Sequence, residues 1–202
     1  MIVGNPLSLL IVGGALFLSS IFLAWEFLPG QCVAIAVINA VTILLYARFL
    51  DQYWPFKNLS IAAICVTPLI LGWFSGHRLN PIVPPLILSA FFFYLSREIF
   101  KDVMDLQANR GKRFTMVMSI GNTAAIRVGG VMLVCSLAMI LYSLRYATSP
   151  IVWVPSLFGV AWLSWFAVQS LRGKDIVSKF PLMDLGVASI LLSLLGARMG
   201  MY

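Results

Sequence analysis

The chain has 202 residues, of which 61% are hydrophobic and only 10% are charged. An ordinary soluble domain carries about 25% charged residues, so this composition excludes that class of protein. Long apolar runs recur from end to end, and each approaches the ~20 residues that a helix needs to cross a bilayer. Because a chain inside lipid must satisfy its own backbone hydrogen bonds, we predict an all-α, multi-pass integral membrane protein.

Taken in chain order, the apolar runs predict about seven transmembrane helices in a single transmembrane domain that covers residues 1–202. Their bounds are about 7–28, 31–50, 58–75, 82–100, 127–147, 151–172 and 183–201. A secretory signal begins with basic residues, and no Lys or Arg precedes the first apolar run. We therefore interpret that run as the first transmembrane span. The pairs Gly13-Gly14 and Gly129-Gly130 predict close helix packing.

The basic residues predict the orientation through the positive-inside rule. Those in the connections after spans two, four and six are Arg48, Lys57, Arg97, Lys101, Arg110, Lys112, Arg113, Arg127, Arg172, Lys174 and Lys179. The opposite side carries only Arg78, Arg145 and Arg198. We therefore predict a cytoplasmic N-terminus and a C-terminus on the other side. Surface cations such as Lys57 then hold basic loops at the anionic leaflet, and the net charge of +7 requires no nucleic-acid partner.

The stretch "REIFKDVMDLQANRGKR", residues 97–113, gathers eight charged side chains in a chain that has only 14 basic and 7 acidic residues. On a helix continuing from span four, Glu98, Asp102, Asp105 and Asn109 line one face with oxygen ligands. Such ligands suit Mg²⁺, which takes a few carboxylates and completes its shell with substrate phosphates. The same pattern is also typical of a solvated interfacial helix with internal ion pairs, and spacing alone does not separate the two interpretations.

Two segments carry a resemblance to a known family. "REIFKDVMDLQANRGKRFTMVMSIG", about 97–121, resembles the second aspartate-rich motif of the UbiA superfamily of intramembrane prenyltransferases, in which an Arg-Glu pair precedes Lys-Asp-x-x-Asp. "LYARFLDQYWPFKNLSIA", residues 45–62, resembles the family's Tyr-Ser…Leu-Lys…Asn-Leu segment, with Tyr46 and Asn58 in register. Both segments lie at the predicted cytoplasmic edge of a span.

The resemblance implies a UbiA-like helical bundle around a lipid-facing chamber. There Mg²⁺ would hold an isoprenyl diphosphate, diphosphate would leave, and a hydrophobic acceptor, either aromatic or lipid, would attack the allylic carbocation. A carbocation needs a dry chamber, which the aromatic run 91–93 could line. Ordinary packing against lipid is the more common role for such residues, and we expect it for most of the three.

The resemblance also implies roles for individual residues. Asp102 and Asp105 would be the Mg²⁺ ligands and, with Lys101, the catalytic residues. Arg97 would contact phosphate, and Asn109 stands where the family has another Asp. The expected substrate-binding residues are Arg97, Tyr46, Asn58 and Asn109.

One departure from the family pattern leaves the activity open. The family's first motif, Asn-Asp-x-x-Asp-x-x-x-Asp, has no match here, so we expect the chain to begin where the family's third helix begins. The first hypothesis is a prenyltransferase with a reduced site, or one completed by another membrane subunit. The second is a non-catalytic membrane subunit that keeps the fold and binds a lipid or pigment. A transporter is the weaker alternative, because no span has a charge near its centre.

Overall fold

The computed structural model describes residues 6–75, 81–109, 111, 113–146, 150–173 and 182–187. Its helices are α1 (Pro6–Phe27), α2 (Gly30–Arg48), α3 (Phe56–Ser75), α4 (Val83–Met104), α5 (Leu106–Asn109), α6 (Met116–Ile120), α7 (Asn122–Leu144) and α8 (Pro150–Leu171). A 3₁₀ turn, Leu50–Gln52, follows α2, and residues 183–187 are also helical. The described part of the chain contains no strand, which confirms the predicted all-α class.

The first six predicted spans coincide with six helices of between 19 and 23 residues. Several of these helices have a proline in their first turn, where it costs no intrahelical hydrogen bond. Pro84 is an example in α4. Four helices, α2, α3, α4 and α7, are long and apolar enough over their described residues to cross a membrane. Of the seventh predicted span, only residues 183–187 belong to the described part of the chain.

The helices pack in chain order, and the most extensive contact joins α4 to α7. The core between them is built from large apolar side chains, among them Phe93, Ile99, Phe100 and Leu133. Buried hydroxyls connect the same two helices. The Ser89 and Ser136 Oγ atoms lie 3.0 Å apart, and Ser96 Oγ donates to the Gly129 carbonyl at 2.8 Å. The α4–α7 pair therefore forms the centre of the bundle.

Two adjacent glycines allow α7 to approach both of its neighbours. A Cβ built on Gly129 would lie 2.5 Å from Phe100 Cε1 of α4. One built on Gly130 would lie 2.8 Å from Ser170 Cβ and 3.2 Å from the Leu171 backbone nitrogen of α8. The prediction of close packing is therefore confirmed for this pair. For Gly13 and Gly14 it is wrong as far as the described residues show, because outside the backbone of α1 none of their atoms lies within 4 Å of a Cβ added at either position.

Replacing Gly130 by Ala is expected to lower the free energy of unfolding by about 1–3 kcal/mol, the usual cost of overpacking. The new methyl would meet the backbone of α8, which cannot rotate aside as a side chain can. Gly13→Ala is the matched control and should leave stability unchanged. Thermal unfolding of the purified protein in detergent, followed by circular dichroism, measures both. Equal midpoints for the two variants would contradict close packing at Gly130.

Candidate functional site

Three helix ends meet at one end of the bundle. These are the last turn of α2 with Tyr46, the first turn of α3 with Lys57 and Asn58, and the last turns of α4 with Glu98 and Asp102. The connection between α5 and α6 joins them there through contacts with the residues around the 3₁₀ turn. This is the end that the basic loops predict to face the cytoplasm.

A short contact between two loops closes this end; we call it the interloop bridge, residues 51–54 with 113–114. The Phe114 N–H donates to the Gln52 carbonyl at 3.1 Å, and the Trp54 N–H donates to the Phe114 carbonyl at 3.3 Å. Asp51 Oδ1 then accepts from the Tyr46 hydroxyl at 2.8 Å and from Arg113 Nη1 at 3.0 Å. Asp51 therefore ties the end of α2 to the connection before α6.

Beneath the interloop bridge, Lys57 and Asp102 form a buried ion pair. Lys57 Nζ donates to Asp102 Oδ1, and the two side chains are only 4% and 1% exposed. The prediction that Lys57 is a surface cation of a basic loop is therefore wrong. A charge at the first turn of an apolar helix can face either the membrane surface or the bundle, and here the packing of α3 on α4 turns it inwards. The signal that could have found it is its position next to Asn58 in the family-like segment.

Several other buried polar atoms at this end have no hydrogen-bond partner among the described residues. They are Asn58 Oδ1 and Nδ2, Glu98 Oε2, Asp102 Oδ2 and Thr115 Oγ1. A buried polar group without a partner costs about 1–3 kcal/mol, and a charged one costs more. We call Lys57, Asn58, Glu98 and Asp102 the buried polar cluster, because they lie on the facing turns of α3 and α4. Such a concentration of unused donors and acceptors is the composition of a site for a polar ligand.

The predicted oxygen face of the charged stretch lies on the inner side of the bundle. Glu98, Asp102 and Asn109 are buried and Asp105 is half-buried, whereas Lys101 is exposed. Asp105 stands at the end of α4, where its N–H donates to the Lys101 carbonyl at 2.9 Å. The helix is thus interrupted at Asp105 before α5, and the four side chains nevertheless keep one side.

Arg97 links the polar end to the segment 182–187. Its Nε lies 3.4 Å from Asp184 Oδ1, and its Nη1 lies 4.0 Å from Glu98 Oε1. The side chain is 34% exposed, so it lies at the rim of the buried polar cluster rather than within it. From there a guanidinium can hold a phosphate in a bidentate manner.

An apolar cavity of about 330 Å³ lies between α3, α4 and α7. Cys65, Phe93, Tyr94 and Ile140 contribute to its wall, and Ser89 and Ser136 add two hydroxyls. Of the aromatic run 91–93, Phe93 is the residue that lines it. The walls of the cavity on α3 and α4 belong to the same two helices that carry the buried polar cluster.

The sequence model of the UbiA prenyltransferase family matches residues 5–194. The chain belongs to this family. The match confirms the resemblance that the two motif segments carry, and it agrees with an all-α bundle whose apolar helices indicate an integral membrane protein.

Curated relatives in the UbiA family share moderate similarity with the chain. The digeranylgeranylglyceryl phosphate synthase of Methanoregula boonei is 29% identical over 105 residues, which are 51% of this chain and 35% of the relative. The enzyme of the same name from Methanococcus aeolicus is 29% identical over 134 residues, 65% of this chain and 44% of the relative. The chain thus spans less than half the length of these relatives. No solved structure matches it at a significant level.

The expected magnesium site has two buried carboxylates in the structure. Asp102 Oδ2 and Glu98 Oε2 are oxygens without a partner, and they lie one helical turn apart on α4. Mg²⁺ commonly takes one or two carboxylates together with substrate phosphates, so this pair fits the ion. The described residues hold no group of three or more His, Cys, Asp or Glu close enough to bind a metal. Asp105 as a ligand stays a prediction.

Replacing Arg113 by Met is expected to loosen the interloop bridge without unfolding the protein. About a third of each partner is exposed, so solvent limits the Asp51–Arg113 pair to under about 1 kcal/mol. Hydrogen exchange at the Trp54 and Phe114 amides should accelerate, while amides in the middle of α7 keep their rates. Mass spectrometry of peptides from both regions measures this. Unchanged exchange at 54 and 114 would show that the backbone contacts alone hold the bridge.

Proposed function

We propose that the chain is a membrane prenyltransferase that binds an isoprenyl diphosphate at the buried polar cluster. The isoprenyl group then goes to a hydrophobic acceptor, either aromatic or lipid. The observation that carries the proposal is the set of buried polar atoms on Asn58, Glu98 and Asp102 that have no partner among the described residues. They lie on α3 and α4, the helices that also line the apolar cavity. An isoprenyl diphosphate has the same two parts, a polyanionic head and an apolar chain. Family membership and relatives that are named as synthases support the same reaction class.

The proposed reaction needs charged protein groups at the diphosphate end of the substrate and a site without water at the isoprenyl end. The bond between the isoprenyl carbon and the bridging oxygen breaks, and diphosphate leaves with the electron pair. The acceptor's nucleophilic atom bonds to the allylic carbocation and releases its proton. The cavity wall around Phe93 and Ile140 excludes the water that would otherwise capture the cation.

The polar side chains hold the departing head group in this proposal. Lys101 and Arg97 are the cations at the rim, and Asn58 offers an amide N–H₂ from below. Asp102 and Glu98 would hold magnesium, with Asp105 at the end of α4. When bound, the ion neutralises the charge that develops on diphosphate. Tyr46 acts at a distance, because its hydroxyl holds Asp51 and so supports the interloop bridge over the site.

Diphosphate release tests the proposal. The purified chain in nanodiscs is supplied with geranylgeranyl diphosphate and Mg²⁺, with and without a lipid acceptor such as a glycerophosphate ether. We expect release that requires Mg²⁺ and exceeds the rate of protein-free nanodiscs. A folded protein that binds the substrate but releases no diphosphate would exclude turnover by this chain alone.

That outcome would favour the second candidate, a non-catalytic membrane subunit that binds an isoprenoid lipid or pigment. The observation in its favour is the Lys57–Asp102 ion pair, because Lys57 already neutralises a carboxylate that the reaction would assign to metal. Co-purified lipid, identified by mass spectrometry, distinguishes this subunit from an inactive enzyme. An isoprenoid retained in stoichiometric amount is expected for the binding subunit.

A further inference from the structure

We propose that Lys57 is a diphosphate-binding residue that changes partner, from Asp102 in the empty site to a phosphate oxygen in the occupied one. This inference rests on the proposed function and names a residue that neither aspartate-rich motif contains. In the empty site Lys57 keeps Asp102 neutralised inside the bundle. In the occupied site Asp102 would help to hold Mg²⁺, and the Lys57 ammonium would turn to a phosphate oxygen.

The hydrogen bonding of the pair supports this exchange. An ammonium has three N–H donors, and among the described residues Lys57 Nζ uses one of them, on Asp102 Oδ1. Within the described part of the chain, Asp102 Oδ2 accepts no hydrogen bond. A purely structural buried pair is expected to satisfy its remaining donors and acceptors with neighbouring groups. This one leaves capacity for an anion on Lys57 and for a cation on Asp102.

The position of the pair also supports it. Lys57 is in the first turn of α3, where backbone N–H groups and the helix dipole favour negative charge, and its long side chain can move its ammonium to a nearby acceptor. Next to it Asn58 presents an unpartnered amide. Lys101, by contrast, is an exposed residue of α4 and reaches the site only from the rim. Lys57 is therefore the cation buried within the cluster itself.

The net charge of the buried polar cluster favours the exchange of Lys57 from Asp102 to phosphate when a cation binds. Glu98 and Asp102 bring two negative charges to the cluster and Lys57 brings one positive charge, while Arg97 stands 4.0 Å from Glu98 at the rim. A second cation such as Mg²⁺ is attracted to the remaining charge. Once it is bound to Asp102, the carboxylate no longer requires the ammonium.

The experiment is a mutant cycle on binding rather than on turnover. The probe is geranylgeranyl S-thiolodiphosphate, in which a bridging sulfur replaces the reactive oxygen, titrated calorimetrically into the full chain in nanodiscs. Four proteins are compared: wild type, Asp102→Asn, Asp102→Asn/Lys57→Met and Asp102→Asn/Lys57→Arg. The Asn background gives Lys57 a neutral acceptor, so removing Lys57 leaves no unpaired buried carboxylate at 102. Asp102→Asn/Lys57→Gln is a second neutral variant if the Met variant does not fold.

In EDTA we expect Asp102→Asn to bind the probe more tightly than wild type, because Lys57 is released from its carboxylate. Removing Lys57 in that background should weaken binding by about ten- to a hundredfold, the usual effect of one charge-assisted hydrogen bond. Arg at 57 should restore most of that loss. Adding Mg²⁺ should strengthen binding by wild type but not by Asp102→Asn.

Two results would overturn the inference. Equal affinities for Asp102→Asn and Asp102→Asn/Lys57→Met would show that Lys57 serves only as the counter-ion of Asp102, and the proposed function would stand. If wild type and every variant fail to bind the probe, with or without Mg²⁺, both the inference and the proposed function are wrong.

Discussion

Asp102→Asn/Asp105→Asn is expected to reduce Mg²⁺-dependent diphosphate release by a factor of at least about 10² to 10³. Removing a single well-placed group that stabilises developing charge usually has an effect of that size, about 3–4 kcal/mol. Asparagine keeps the size of each side chain and leaves Lys57 an oxygen acceptor, so the variant reports the loss of negative charge rather than the loss of the fold. Release of diphosphate from geranylgeranyl diphosphate in nanodiscs is the measurement.

Glu26→Gln provides the matched control. Glu26 is an exposed carboxylate near the end of α1, at the opposite side of the bundle from the buried polar cluster by the predicted topology. Its neutralisation should leave the rate within twofold of wild type. Release that persists within tenfold in the double variant would show that these aspartates do not serve the departing diphosphate.

Lys57→Met is expected to lower the free energy of unfolding by about 3–5 kcal/mol, because it leaves Asp102 charged and unpaired in the interior. Lys57→Met/Asp102→Leu removes both charges and replaces them with apolar side chains of similar volume. The double variant should therefore recover the stability of wild type or exceed it. Thermal unfolding in detergent, without substrate or metal, compares the two.

Lys101→Met is the control for a nearby lysine. It lies on α4 but is exposed, so its removal should change stability by no more than about 0.5 kcal/mol. If Lys57→Met and the double variant lose equal stability, the unpaired charge of Asp102 does not cause the loss. The loss then comes from the packing of the Lys57 side chain. If neither loses stability, the pair is not buried in the folded protein.

Much of the helical framework could be predicted from the sequence because the bilayer imposes a simple rule. Each apolar run must satisfy its own backbone groups over a fixed thickness, so composition alone placed α1 to α4, α7 and α8 within a few residues. The oxygen face of Glu98, Asp102 and Asn109 was predictable for a similar reason, since it depends only on the period of the α-helix. Its burial agrees with that prediction.

The partners of these residues could not be predicted, because they depend on which helices pack together. Lys57 is 45 residues from Asp102 in the chain, and Asp51 is 62 residues from Arg113. In the sequence Arg113 resembles the other cations of the basic loops, and Lys57 differs from them only in its position next to Asn58 in the family-like segment. Burial separates them, since one lies inside the bundle and the other at its rim.

Hydrophobic length and helical period are local properties, so they were enough to predict a bundle of membrane helices with a family-like charged motif at one end. The tertiary structure alone decided that Lys57 faces inwards and neutralises Asp102. The same packing buries polar atoms of Asn58 and Glu98 that have no partner within the described part of the chain. The physical reason is that desolvation and pairing belong to the packed assembly of α3 and α4, and neither helix specifies them alone.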